Sequence, residues 1–417
     1  MIGRHLEQEL LAALARSPVV FLNGARQTGK STLAKALAVA RHPARYLTLD
    51  DATTLAAAAA DPAGFVAGLD GPVVLDEVQR EPRLFLAIKA AVDNDRTPGR
   101  FLLTGSASVT ALPALAQALV GRLEILTLWP FSQGELEGRR EGLVDALFRS
   151  RLPPPARSRD STRAPLETRL LAGGFPEPAT RKTAADRRAW FAAYATTILQ
   201  REVRDLANID GLAALPQLLG LLAARAATLL NAAELGRSAG IPNTTLKRYL
   251  ALLQATFLLH LLPAWSPNVG KRLVRAPKAM LCDSGLLAHL LGVDTRRLTA
   301  ARGLMGPLLE NFVAIELARQ VAWSEVRPAV YHYRTHTGDE VDVVLEDTAG
   351  RVVGIEVKAA ATVGAKDLRA LRALADALGK RFVRGVILYT GTDIVPFGER
   401  LHAMPLSALW TLGAGAE

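Results

Sequence analysis

Short apolar runs alternate with amphipathic stretches through the first third of the chain. Residues 19–23, 45–49, 73–76, 101–104 and 123–128 read as buried strands, and residues 33–39 and 84–92 as helices between them. That alternation predicts a parallel sheet flanked by helices. Residues 166–260 are dominated by Leu and Ala at helical spacing. From residue 308 the pattern changes again. A helix over 308–321 is followed by strands at 329–334, 340–346, 351–357 and 383–389, with a helix at 366–378. The expected architecture is α/β: a parallel-sheet domain over 1–150, a helical middle over 166–300 and a smaller α/β domain over 301–417. Residues 151–165, rich in Pro, Arg and Ser without periodicity, read as a linker.

The first strand runs directly into Gly24-Ala25-Arg26-Gln27-Thr28-Gly29-Lys30-Ser31, the spacing G-x-x-x-x-G-K-[ST], followed by Thr32 and a helical pattern. Glycines permit a tight loop whose N–H groups face phosphate oxygens. Lys30 reaches the outer phosphates, Ser31 ligates Mg²⁺, and the helix adds its positive end. The cofactors implied are ATP and Mg²⁺. Further along, Asp76 and Glu77 directly follow the four apolar residues 72–75. Asp76 is the candidate metal acid and Glu77 the group that orients the attacking water. The strand at 101–104 leads into Thr104-Gly105-Ser106, where Thr104 or Ser106 is a candidate γ-phosphate sensor. Arg122, just before the strand at 123–128, is either a phosphate-contacting arginine or an ordinary salt bridge.

Charge changes the picture of the middle. Net charge is +10, and Lys plus Arg against Asp plus Glu run 16 to 16 over 1–150, 21 to 10 over 151–300 and 13 to 14 over 301–417. A local excess of this size points to a polyanionic partner, DNA before RNA, or to a solvated Arg-rich surface. Residues 231–253 carry the apolar set of a helix-turn-helix, with Asn231 and Asn243 as caps and Gly240 in the turn. The second helix would present Asn243, Thr244, Thr245, Lys247 and Arg248. Residues 257–262 and 278–281 would form a wing with a basic tip at Lys271 and Arg272, and Trp265 in its core.

In the last domain Glu310 lies on a helix, Asp342 on one strand, and Glu356 with Lys358 on another. Alternate strand residues share a face, so Glu356 and Lys358 point the same way. A hairpin near residue 349 brings Asp342 beside them, the arrangement of a Mg²⁺-dependent PD-(D/E)XK nuclease site. Glu340 shares the Asp342 face. The other reading is a nuclease fold kept for binding or assembly. His332 and His336 read as surface or turn residues.

LDEVQREPRLFLAIKAAVD, RFLLTGSAS, LVGRLEILTLWPFSQGEL, LLAGGFPEP and KAMLCDSGLLAHLLG occur in that order along nearly the whole chain. In these segments the chain resembles a prokaryotic group of AAA-type ATPases that carry a C-terminal domain of unknown function. The resemblance implies an ATPase core with an additional catalytic glutamate, a winged-helix middle and a restriction-endonuclease-like end. The proline-rich stretch at 151–165 departs from it.

One cysteine, Cys282, excludes an internal disulfide. The N-terminal segment mixes charge with apolar residues, unlike a signal peptide, and no run reaches the ~18 apolar residues of a spanning helix. A cytoplasmic protein with no membrane partner is therefore expected, with a homo-oligomer left open. Two functions compete: a DNA-acting ATPase that couples nucleotide state to the winged helix and nuclease-like domain, or a nucleotide-switched regulatory or assembly protein whose nuclease fold is inactive.

Overall fold

A computed structural model describes residues 2–108, 118–152, 164–199, 214–335 and 337–412. Most of the expected linker and His336 lie outside them. Five strands, β1 (Val19–Asn23), β2 (Arg45–Thr48), β3 (Val73–Asp76), β4 (Phe101–Gly105) and β5 (Leu123–Thr127), pair in parallel in the order β2-β3-β4-β1-β5. The inner strands β1, β3 and β4 are buried at every position, whereas β2 and β5 at the edges are partly open. This is why the inner runs read as unbroken apolar sequence.

The strand period of two divides these side chains between two layers. Val19, Phe21, Leu75 and Leu103 face one core with Phe85 and Ile88. Val20, Leu22, Val74 and Leu102 face the other, with Leu10, Leu33 and Leu37. Two further helices, Ala52–Ala60 and Pro62–Ala67, fall where apolar spacing singles out no element. Asp51 accepts from Thr54 N–H and Asp61 from Gly64 N–H, so local caps define them instead of a stripe.

In the middle, helices Ala232–Ala239 and Asn243–Ala255 meet across Gly240, which takes a positive φ of 66°. Asn231 caps the first by accepting from Glu234 N–H. Asn243 is not the cap expected of it: Pro242 holds that position, without a side-chain bond. Strands β6 (Leu259–Leu262) and β7 (Lys278–Leu281) then form an antiparallel hairpin.

The last sheet is mixed. Strands β8 (Ala329–Arg334), β9 (Glu340–Glu346), β10 (Val352–Lys358), β11 (Phe382–Tyr389), β12 (Val395–Pro396) and β13 (Leu401–Pro405) run in the order β12-β13-β11-β10-β9-β8. Helix Arg369–Leu378 covers one face through Leu371 and Leu374. The other face, with Val343, Ile355 and Leu388, joins a core that includes Phe175, Leu218, Leu259, Met280, Leu309 and Phe312. The helical middle and the final sheet thus bury their apolar surface against each other, with no break in packing at residue 300.

Candidate functional site

The carboxyl ends of β1, β3 and β4 place Asn23, Asp76 and Thr104 along one edge, where open α/β sheets bind ligands. The loop from Gly24 to Gly29 leaves β1 and enters helix Lys30–Ala40. Gly24 has φ 147°, and a Cβ there would lie 2.2 Å from Leu128 O, so only glycine fits. Gly29, at φ 94°, turns the chain into the helix. Ala25 and Thr28 are buried, Gln27 and Thr32 are exposed, and Arg26 and Ser31 lie between.

Lys30 is 5% exposed. Its ammonium donates to Gly24 O and Ala25 O, both at 2.9 Å. Burial lowers its pKa to about 8, against the pull of Glu77 and Asp76. Asp76 Oδ1 accepts from Ser31 Oγ at 3.0 Å and from Thr104 Oγ1, while Oδ2 accepts from Tyr46 OH at 2.5 Å. Burial, then this bond, push the Tyr46 phenol up, so it stays a donor. Hydroxyl and carboxylate oxygens of this kind are the ligands Mg²⁺ takes, so the donor set fits the ion.

Glu77 follows in a left-handed conformation, φ 60° and ψ 41°. Its N–H donates to Thr104 Oγ1 at 3.3 Å. Gln79 donates to Glu77 Oε2 and, at 3.1 Å, to Ser106 Oγ. Thr104 therefore touches Asp76, the candidate metal acid, and Ser106 reaches the catalytic candidate through Gln79. Arg122 forks onto Asp93, with Nε 2.5 Å from Oδ1.

Several of these contacts come from residues the sequence did not flag. Tyr46 sits in an unremarkable edge strand. Gln79 had a faint signal, two residues past the acid pair. Tyr194, from helix Ala184–Thr197, donates to Arg26 O at 3.3 Å and so ties the helical middle to the phosphate loop.

On helix Asn243–Ala255, Asn243, Thr244, Lys247 and Arg248 are exposed and Thr245 is half-buried. Lys271 is exposed too, within the short helix Val269–Val274 at the expected tip. Arg272, expected at the basic tip with Lys271, is paired. Its guanidinium bonds Glu346 at 2.5 and 3.1 Å and Tyr331 OH at 3.2 Å, because β8 and β9 pack beside the hairpin. Trp265 is buried against Tyr333 of the final sheet rather than within the hairpin alone. His332, expected at the surface, is 2% exposed, with Nε2 3.1 Å from Ala276 O.

In the C-terminal cleft, of about 570 Å³, Glu310, Asp342, Glu356 and Lys358 all contribute to the lining. They do not converge equally. Among the described residues, Glu310, Glu340 and Asp342 place oxygens within 4.8 Å of one another, and Glu356, beside that group, has Lys358 at 3.8 Å. Asp342 Oδ2 accepts from Val357 N–H at 2.8 Å. Burial, reinforced by neighbouring carboxylates, raises the pKa of Glu310, Asp342 and Glu356. Lys278, from β7, enters this cluster and was not anticipated. Its pKa is raised: burial opposes the charge, but Glu310, Asp342 and Glu340 outweigh it.

Three family models match successive parts of the chain. An AAA domain model matches residues 16–137, a domain of unknown function (DUF8612) matches 163–297, and another (DUF4143) matches 305–409. The proteins Rv2008c of Mycobacterium tuberculosis and Mb2031c of Mycobacterium bovis are each 33% identical over 420 residues, spanning 99% of this chain and 86% of the relative. Among solved structures, the Walker-type ATPase PABY2304 of Pyrococcus abyssi is similar over 70% of this chain and 96% of its own, at 14% identity and a TM-score of 0.43. The STAND protein PH0952 of Pyrococcus horikoshii, which has a tetratricopeptide repeat sensor, is similar over 77% of this chain and 47% of its own, at 12% identity and a TM-score of 0.23. No described helix is long and apolar enough to cross a membrane.

Proposed function

The chain belongs to the family of the mycobacterial proteins Rv2008c and Mb2031c, and from that premise we propose that its AAA domain binds and hydrolyses Mg-ATP and passes the nucleotide state to a DNA-contacting middle. The observation that carries this reading is the meeting of Ser31 and Thr104 on Asp76, beside the buried Lys30. Gly24 to Thr32 would surround the phosphates, and Lys30 would exchange its two carbonyl partners for phosphate oxygens. Ser31 and Asp76 would hold Mg²⁺, which neutralises charge on the phosphates when bound. Glu77 orients and deprotonates the attacking water, and Thr104 with Ser106 senses the terminal phosphate. Arg122 is tied to Asp93, which supports its reading as a salt bridge.

Movement of the phosphate loop would reach the middle through Arg26 and Tyr194. There Asn243, Thr244, Thr245, Lys247, Arg248 and Lys271 form the surface proposed for DNA, with β6 and β7 as the wing. The nuclease-like sheet behind them would move with the hairpin, since Arg272 joins the two. A cytoplasmic setting and a homo-oligomer fit this reading.

Phosphate release measured with and without duplex DNA at low salt tests it. Stimulation by DNA that Lys30→Ala abolishes supports the proposal. Hydrolysis indifferent to DNA, with no DNA bound, would instead favour a nucleotide-switched regulatory or assembly protein.

A further inference from the structure

Lys278 opens β7 and is 1% exposed, an unusual place for a lysine. Its ammonium lies 2.5 Å from Glu310 Oε1, 2.5 Å from Glu340 Oε1 and 3.5 Å from Asp342 Oδ1. These are the same three residues whose oxygens converge closely enough to ligate a metal ion. A lysine ammonium has three N–H donors and no acceptor, so three carboxylates can satisfy it. Magnesium would need oxygens at ~2.0–2.1 Å around the point this ammonium occupies. Two cations cannot share that centre in a poorly solvated cleft, where like charges a few ångströms apart repel strongly.

The backbone gives the lysine little freedom to leave. Lys278 pairs with Leu262 of β6 on one side and bridges Leu229 on the other. Leu230 N–H donates to Pro277 O at 2.8 Å and Ala279 N–H to Thr228 O at 3.0 Å. Meanwhile Glu356, which a two-carboxylate metal site would enlist, is outside the converging group, and one oxygen of Asp342 is committed to Val357 N–H. The residues present therefore do not fit a divalent ion.

We propose that the ammonium of Lys278 is the resident cation of the C-terminal cleft, that it excludes divalent metal, and that the nuclease-like fold does not perform metal-dependent phosphodiester cleavage. Cation and carboxylates come from different matched regions, 163–297 and 305–409, so the cleft is completed only where the two meet.

The test is Mn²⁺ binding by full-length, nucleotide-free protein, followed by electron paramagnetic resonance, in an Asp76→Asn background that removes the ATP-site ligand. With Lys278 present, adding Glu310→Gln should leave the Mn²⁺ titration unchanged. Lys278→Met should gain one Mn²⁺ per chain, at least tenfold tighter, and lose it when Glu310→Gln is added. Stoichiometric Mn²⁺ bound with Lys278 in place and lost on Glu310→Gln overturns the proposal, as does a folded Lys278→Met that gains no ion. Should Lys278→Met not fold, the comparison with Lys278 intact still decides. Plasmid nicking in Mn²⁺ that disappears in the Glu356→Ala, Lys358→Ala double variant also overturns it.

Discussion

Ser31 Oγ lies 3.0 Å from Asp76 Oδ1, so the end of the phosphate loop touches the acid at the end of β3. The two are 45 residues apart, and the parallel sheet brings the end of β3 and the loop after β1 together on either side of β4. Lys30→Ala removes the buried charge beside this pair. The variant should stay folded, since only two bonds to loop carbonyls are lost, yet show no heat of association with Mg-ATP. Hydrolysis should fall by at least ~100-fold, the scale of losing a preorganised electrostatic contact.

Glu77→Gln should retain nucleotide and lose turnover. General bases contribute typically ~10²–10⁴-fold, so kcat should fall within that range while ATP affinity holds. Gln79 donates to Glu77 without lying among the loop residues. Gln79→Ala should therefore lower kcat by less than Glu77→Gln, with KM unchanged. Equal losses in both variants would show that Gln79 does more than position the acid.

The Arg272–Glu346 pair predicts coupling between hairpin and sheet. Both side chains are 12% exposed, so solvent screens the pair only in part. Arg272→Ala should cost ~1–3 kcal/mol in urea unfolding, and a double-mutant cycle with Glu346→Ala should return a coupling of ~0.5–3 kcal/mol. DNA affinity should change far less for Arg272→Ala than for Lys247→Glu.

If DNA meets the helix Asn243–Ala255, salt will report it. Lys247→Glu and Lys271→Glu should each weaken binding uniformly across sequences. Each should reduce the slope of log affinity against log salt by about 1, the signature of a lost phosphate contact. Unchanged slopes would move the nucleic-acid surface elsewhere.

Burial lowers the pKa of His332 from 6.5 to about 4. The unfolded chain then binds more protons between those values, so stability is whole above pH 6.5 and falls as pH drops toward 4. The full shift is worth ~3 kcal/mol. In His332→Gln this term is absent. The stability difference between wild type and variant, from urea midpoints at pH 7 and 4.5, should shift toward the variant in acid.

Legibility followed sequence distance. The loop around Lys30 and the Asp76–Glu77 pair are local motifs, and the strands under them are continuous apolar runs. Helices Ala52–Ala60 and Pro62–Ala67 lacked a stripe, although Asp51, Asp61 and Pro62 carried their capping signals. Arg272, His332 and Lys278 were misjudged or missed for one reason: the partners that bury them lie 32 to 74 residues away. A lysine heading an otherwise apolar four-residue strand was the only local hint of Lys278.

The seating of Lys278 bears on how such chains are inherited. A recombination event with its breakpoint near residue 300 would deliver Glu310, Glu340 and Asp342 to a new host without their counter-charge. The recipient would face mutual carboxylate repulsion or recruit a foreign ion. Exchange between lineages should respect the joint and carry the hairpin with its sheet, and an expression fragment meant to fold should begin upstream of Leu229.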